Sequence, residues 1–202
     1  MRIDQRRFLI SSQGILAVFL FCLVSPGQLP AADPVSKTAL RKAVSKGAEL
    51  IVGMQDSLGP DGAVLNEWPY EGVYRVRSPR SRKGIIPIGY RVGGTAICSI
   101  ALLNTPAYRS SKAAQAAVRR GRDFIVASLK DPLLSASFKG SYDVRGWGHA
   151  YALQFLLEAR ESGKLGKKRA YDEHIRGLVA ALEETEIPRS GGWNYSRRGG
   201  AL

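Results

Sequence analysis

The sequence predicts an all-α fold in which amphipathic helices alternate with helices that are apolar on nearly all sides. Two pairs of similar segments support this prediction. Residues 43–52 (AVSKGAELIV) match residues 117–126 (AVRRGRDFIV) at an offset of 74, and residues 93–103 (GGTAICSIALL) align with residues 147–157 (WGHAYALQFLL) at an offset of 54. One layer of amphipathic helices around one layer of buried helices predicts an α/α barrel or an α-solenoid. Parallel-sheet folds are excluded, because nothing in the sequence reads as a series of strands.

The first pair of segments has the pattern of outer helices. Apolar and small residues recur at helical spacing through residues 114–125, and basic residues occupy other positions. This pattern predicts a helix with one buried and one solvent-exposed face. A weaker third copy is residues 174–182 (HIRGLVAAL), and it places His174 on the surface. The second pair is apolar nearly all round, which predicts inner helices that are buried on every side.

An aromatic residue follows each amphipathic copy. Trp68 follows Gly47 at the same spacing as Tyr142 follows Gly121, and Trp193 follows Gly177 somewhat more closely. An aromatic side chain that closes each unit is expected to pack one helix pair against the next.

Residues 1–32 are predicted to be a secretory signal peptide. Three arginines precede an uncharged apolar run at positions 14–24, and Pro, Gly and small residues follow it. The run is too short for a comfortable membrane span, so we expect cleavage near Ala31 or Ala32 and export to the periplasm or beyond. The alternative is an uncleaved N-terminal anchor. Cleavage leaves residues 33–202 as one repeat domain with no membrane span.

The net charge of the exported domain limits the partners it can bind, and its cysteine content limits its disulfides. Residues 1–32 carry a net charge of +2, so cleavage reduces the +13 of the whole chain to +11. This surplus favours an anionic partner, and export argues against nucleic acid. Only Cys98 remains after cleavage, so the domain contains no internal disulfide.

A basic insertion distinguishes the first unit. The interval from Gly47 to Gly94 is much longer than the equivalent interval from Gly121 to Gly148. An insertion of this length is unusual in a connection within a compact repeat. It is a candidate site for an anionic polymer or lipid headgroup, and the alternative is a solvated loop with no partner. The candidate anion-binding residues are Arg75, Arg77, Arg80, Arg82 and Lys83.

The segment around His149 is the candidate for chemistry. His149 is predicted in the first turn of an inner helix, where it can act as a general acid or base. The structural alternative is a histidine that is hydrogen-bonded near the helix start, with Gly146 and Gly148 permitting a tight turn. No carboxylate or cysteine is paired with it nearby in sequence, which favours the structural role. The candidates for lining a cavity for an apolar or sugar-like ligand are Trp147, His149, Tyr151, Trp193 and Tyr195; for the aromatic residues, packing between repeats is the alternative.

Three motifs together resemble a known family. The run GWGHAYALQFLLEA (residues 146–159), the unit AVx(K/R)Gx(E/D)(L/F)I and the run SGGWNY (residues 190–195) resemble prenyltransferase and squalene-oxidase repeats. The resemblance covers residues 38–198 and implies the α/α-toroid superfamily of terpenoid cyclases and protein prenyltransferases. It implies a partial α/α toroid of repeated outer and inner helix pairs. The sequence is most similar to exported repeat proteins of this type that carry no assigned reaction.

The catalytic motifs of that superfamily are missing from the sequence. No Asp-x-Asp-Asp motif of the squalene-type cyclases and no Cys-Gly-Glu-Gln thioester motif occurs. Cys98 has no neighbouring Asp-x-Cys for the zinc site of prenyltransferase β subunits, so we expect no metal, no cofactor and no catalytic residue. The repeat signature Gln-x-x-x-Gly-x-Trp is degraded, since Gln55 has a looser spacing and Glu183-Glu184 replaces Gln in the third unit.

The sequence therefore predicts a non-catalytic binding or scaffold module. It would bind an unknown apolar or anionic ligand, or a protein partner, through a central concavity and the basic insertion. One alternative is a terpenoid cyclase or prenyltransferase-type enzyme whose catalytic residues lie outside this chain. Another is a basic surface module for acidic polysaccharide. Because the sequence ends where the inner helix after the third copy would begin, we expect residues 33–202 to be incomplete at the C-terminus, as a fragment of a longer toroid. The alternative is self-association of a genuinely short chain.

Overall fold

The computed structural model describes residues 35–58, 64–70, 76–78, 81–135, 137, 143–187, 189 and 191–193. The predicted signal peptide, residues 1–32, lies outside these ranges. Within them, six α-helices confirm the all-α prediction. They are α1 (Lys37–Gly53), α2 (Ile88–Leu103), α3 (Ala107–Ser110), α4 (Lys112–Ser128), α5 (Arg145–Ser162) and α6 (Asp172–Thr185). None of the helices in the described part combines the length and the apolarity that a membrane span needs.

Two short antiparallel ribbons lie in the insertion between α1 and α2. One pairs β1 (Asp56–Leu58) with β2 (Val64–Glu67), and the other pairs β3 (Val76–Ser78) with β4 (Ser81–Ile85). The sequence showed no strand pattern here, because ribbons of this length pair backbone groups without an apolar face to bury. Short 3₁₀ turns at Pro132–Leu134 and Lys168–Tyr171 complete the connections between helices.

The core is built around the contact between α2 and α5. These two helices share the most extensive contact, while α4 packs on α2 and α6 packs on α5. Glycines allow the close approach: a Cβ on Gly148 would lie 2.9 Å from the Cα of Gly89, and a Cβ on Gly93 would overlap the ring of Trp147. The backbones of α2 and α5 can come this close only because these positions have no side chain.

Helix α2 is buried nearly all round, as predicted, but α5 is not. The buried residues of α5 follow one stripe that includes Gly148, Ala152, Phe155 and Ala159, while Gln154 is exposed. The prediction that both inner helices are buried on every side is therefore wrong for α5. The reason is that α2 has α4, α5 and β2 around it, whereas the contacts of α5 are with α2, α6 and the second 3₁₀ turn.

Helix α1 is attached mainly by its C-terminal end. Ala48 is its one buried residue. The carbonyl of Ile51 accepts a 2.6 Å hydrogen bond from the indole of Trp68, and the Gln55 amide just beyond the helix donates to the carbonyl of Ala117 in α4 (3.0 Å). Towards its N-terminus, α1 stands away from α3 and α4 across a groove of about 550 Å³. This groove is lined by Leu40, Val44, Ala48, Val52, Pro106, Ala107, Ala113 and Ala114, among others.

The close contact between α2 and α5 predicts opposite effects for two glycine substitutions. Gly93→Ala would force the Trp147 ring aside, and we expect it to lower the free energy of unfolding by about 1–3 kcal/mol, the usual cost of overpacking. Gly177→Ala is the matched control, because no residue of the described ranges lies within 4 Å of a Cβ at this helical position. It should raise the free energy of unfolding by about 0.5–1 kcal/mol. Denaturant unfolding curves measure both, and equal effects would contradict this description of the core.

Candidate functional site: an aromatic cluster beside anchored helix starts

Four aromatic side chains meet between α2 and α5. Trp147 lies at the centre, with ring centroids 5.0 Å from Tyr151, 5.3 Å from Tyr90 and 5.5 Å from Tyr70. Trp147 and Tyr151 share one face of α5 because they are four residues apart. Tyr90 is 1% exposed and Tyr70 is 48% exposed, so this aromatic cluster extends from the core to the surface.

The aromatic cluster contains two of the predicted ligand-binding candidates, Trp147 and Tyr151. The sequence did not single out Tyr70 and Tyr90. Tyr90 stands at the start of an apolar helix, where a tyrosine is typical of the core, and Tyr70 lies two residues after Trp68, the aromatic residue predicted to close the first unit. Nothing in their sequence spacing connects them with Trp147, since the contact depends on the packing of α2 against α5.

His149 is a buried residue of α5. It is 2% exposed, its ring is hydrogen-bonded to the backbone of Leu134, and its Nδ1 has no partner among the described residues. Burial lowers the pKa of His149 below its ordinary value, and the charge of Arg145 lowers it further, against the opposing effects of Leu134 and Asp143. The imidazole is therefore neutral at pH 7.

A carboxylate does lie near His149, but it is bound to an arginine. Arg145 forms a two-pronged ion pair with Asp143, with N–O distances of 2.6 Å and 2.9 Å, and donates to the carbonyl of Ser135 (2.6 Å). Burial alone would raise the pKa of Asp143, yet hydrogen bonds from Arg145 and its charge hold it below the ordinary value. Asp143 is thus a fixed counter-ion of Arg145 and is not free to accept a proton from His149.

The same arrangement occurs at the start of α2, at the offset that relates the second pair of similar segments. Arg91 binds the buried carboxylate of Glu67 through its Nε, 2.8 Å from Oε2. Burial raises the pKa of Glu67, although Arg91 opposes the shift. Thr95 corresponds to His149 in this alignment, and its Oγ1 accepts from the Trp68 backbone N–H (2.9 Å) and donates to the Arg91 carbonyl (2.8 Å). In both places an arginine and a polar residue four positions later fasten the preceding segment to the helix.

The glycines on either side of Trp147 have a different role from the predicted one. Neither has a positive φ, so no tight turn depends on them. A Cβ on Gly146 would lie 2.6 Å from the Cβ of Trp193, and Gly148 faces Gly89. The predicted turn is therefore wrong, and both glycines serve close packing. Trp193 also donates its indole N–H to the carbonyl of Leu182 in α6 (2.8 Å), while Tyr195 lies outside the described residues.

The predicted anion-binding residues are only partly described. Arg77 lies in β3, and Arg82 and Lys83 lie in β4, so the ribbon brings their backbones together. The side chains of these three residues, and all of Arg75 and Arg80, lie outside the described part of the structure.

Cys98 is a partly buried thiol of α2. Burial raises its pKa to about 11, so it stays protonated and unreactive near neutral pH. Among the described residues, no group of three His, Cys, Asp or Glu side chains is placed to hold a metal ion.

Comparisons of the chain with protein-family models, with curated protein sequences and with solved structures found no match. A function for this chain is therefore inferred from its own residues and their geometry.

Burial of His149 predicts a loss of stability in weak acid. Its pKa in the folded protein lies below the ordinary 6.5, so the unfolded chain binds the proton first and stability falls as the pH drops through this value. His149→Gln removes this titration, and between about pH 7.5 and pH 5 the variant should lose less unfolding free energy than the wild type. The other titrating groups are present in both proteins and cancel in the comparison.

The control for this experiment is Val179→Ala. It trims a partly exposed apolar residue of α6 and changes no titratable group, so the variant should keep the pH dependence of the wild type. If His149→Gln and the wild type show the same dependence in urea unfolding from about pH 7.5 to pH 5, the assignment of a buried neutral His149 is wrong.

Proposed function

We propose that this chain is an exported protein similar to prenyltransferase and squalene-cyclase repeat proteins, and that it acts as a binding or scaffold module. Its ligand is a neutral molecule with an apolar face, held at the aromatic cluster. The fold we propose for it is a partial α/α toroid, in which α2 and α5 belong to the inner layer and α1, α4 and α6 to the outer layer.

The proposed repeat is supported by contacts of the same kind in successive units. Arg91 and Arg145, which lie two residues before the second pair of similar segments at the same offset of 54, each bind a carboxylate from the segment before their helix. Trp68 and Trp193 each donate an indole hydrogen bond to the last turn or so of the preceding outer helix. Such contacts are expected if each unit is built in the same way.

The observation that carries the binding proposal is the graded exposure of the aromatic cluster. Tyr90 anchors the cluster in the core, while Trp147 and Tyr151 are partly exposed and Tyr70 is half-exposed. Aromatic rings held by close packing present rigid apolar surface at little entropic cost, which suits sugar rings and isoprenoid chains alike. The rigid, partly exposed rings of the aromatic cluster therefore favour a function in ligand binding.

The charged residues beside the aromatic cluster also favour binding over catalysis. Arg91 follows Tyr90, and Arg145 precedes Trp147 by two residues, yet each is bound to its own carboxylate. A ligand on the cluster would therefore meet aromatic faces next to neutralised charge. General acid–base chemistry needs a group that is free to exchange a proton at the reacting atom. In these two ion pairs each charged group is already bound to its partner.

Ligand titrations followed by tryptophan fluorescence test this proposal. One titration uses a neutral soluble oligosaccharide and the other an isoprenoid alcohol, so the response identifies the ligand class. We expect a saturable change with one of them, because Trp147 lies at the centre of the cluster. Tyr70→Ala and Tyr151→Ala should each weaken that binding by about three- to tenfold, the usual contribution of one aromatic contact.

The control variant is Val179→Ala, which trims a partly exposed apolar residue on α6. It should bind like the wild type. The proposal fails if neither ligand changes the fluorescence, or if the two tyrosine variants bind as tightly as the control.

A further inference from the structure

A contact inside the chain shows how one outer helix is joined to the next. The indole of Trp68 binds the carbonyl of Ile51 at the end of α1, and its ring lies 3.0 Å from where a Cβ on Gly121 of α4 would be. Trp68 is buried in this position. The side chain therefore bridges the end of one outer helix and the central glycine of the next.

Helix α6 ends with half of the same contact. Trp193 donates its indole hydrogen bond to Leu182 of α6, as Trp68 does to Ile51 of α1. Unlike Trp68, it is 48% exposed. A large aromatic residue that is held by a hydrogen bond on one side and exposed to solvent on the other is a typical anchor for a protein interface.

The first outer helix presents the other half. Gly47 of α1 corresponds to Gly121 at the offset of the first pair of similar segments, and none of the described residues lies within 4 Å of a Cβ at Gly47. Leu50 lies on the same helical face and is 58% exposed, and Met54, directly after the helix, is 71% exposed. A helix with a single buried residue thus offers an open glycine beside exposed apolar side chains.

The charges of α1 and α6 are complementary. Helix α1 carries four basic residues and one acidic residue, whereas α6 carries four acidic residues and one arginine. Inside the chain, Arg120 next to Gly121 donates to Gln55 Oε1 (2.6 Å), four residues after Ile51. Counted from the two indole acceptors, Ile51 and Leu182, the equivalent pair is Lys46 next to Gly47 and Glu186, although the repeat signature places Glu183-Glu184 opposite Gln55. An ammonium and a carboxylate thus replace the guanidinium and the amide.

We propose that this protein associates head to tail with a second copy of itself. Trp193 of one copy packs on Gly47 of the next, and Glu186 of the first pairs with Lys46 of the second. The interface repeats the Trp68–Gly121 contact between chains. Because it joins two different surfaces, it generates closed rings or open chains according to the rotation per copy. The association is independent of the ligand proposed for the aromatic cluster.

Sedimentation equilibrium over a concentration series tests the proposal. The wild type should show a mass above that of the monomer that rises with concentration. Gly47→Leu should remain monomeric, because the new side chain fills the space for Trp193 of the neighbour and starts from a Cβ with no described residue of its own chain within 4 Å. Gly177→Leu is the matched control, since it makes the same change at an open glycine of α6, and it should associate like the wild type.

Charge reversal provides a second test that leaves Trp193 and its contact with Gly146 intact. Lys46→Glu should weaken association several-fold, because two carboxylates then face each other, and adding Glu186→Lys should restore it. The proposal is overturned if the wild type is monomeric at all concentrations, if Gly47→Leu associates as the wild type does, or if Gly177→Leu is equally impaired. It is also overturned if the double charge reversal is no stronger than Lys46→Glu.

Discussion

The close packing of α2 on α5 is the constraint on which the rest of the structure depends. Gly89, Gly93 and Gly148 let the two backbones approach, and the ring of Trp147 fills the space above Gly93. This contact buries α2 and holds Tyr90 against Trp147, so both the core and the aromatic cluster depend on it. A side chain at any of these glycines would separate the helices and change both at once.

Buried polar contacts then fix how the connecting segments enter the two central helices. Arg91 holds Glu67 and Arg145 holds Asp143, while Thr95 and His149 bind the backbones of Trp68 and Leu134. Desolvating an ion pair offsets much of its Coulombic attraction, so such pairs contribute more to a defined geometry than to net stability. They explain why a chain with long connections can present aromatic side chains at a fixed place.

The sequence could predict the helices but not everything that lies around them. Apolar periodicity locates α4, because an amphipathic helix buries the same face along its length, and nearly continuous apolar runs locate α2 and α5. It cannot say which neighbour covers a face, and so α5 was predicted to be buried all round although Gln154 is exposed. The sequence does not identify Tyr70 as a site residue, because Tyr70 reaches Trp147 only through tertiary packing. Gly146 and Gly148 predicted a tight turn, whereas both glycines allow close packing of α5 against its neighbours.

Amide hydrogen exchange resolved by residue is the measurement that tests the central role of the α2–α5 contact most directly. Amides of α2 and α5 should exchange slowest and with one common opening free energy, because neither helix can open without the other. Those of α1, with Ala48 as its one buried residue, should exchange fastest among the long helices. Equal protection of α1 and α2, or clearly different opening free energies for α2 and α5, would contradict the account.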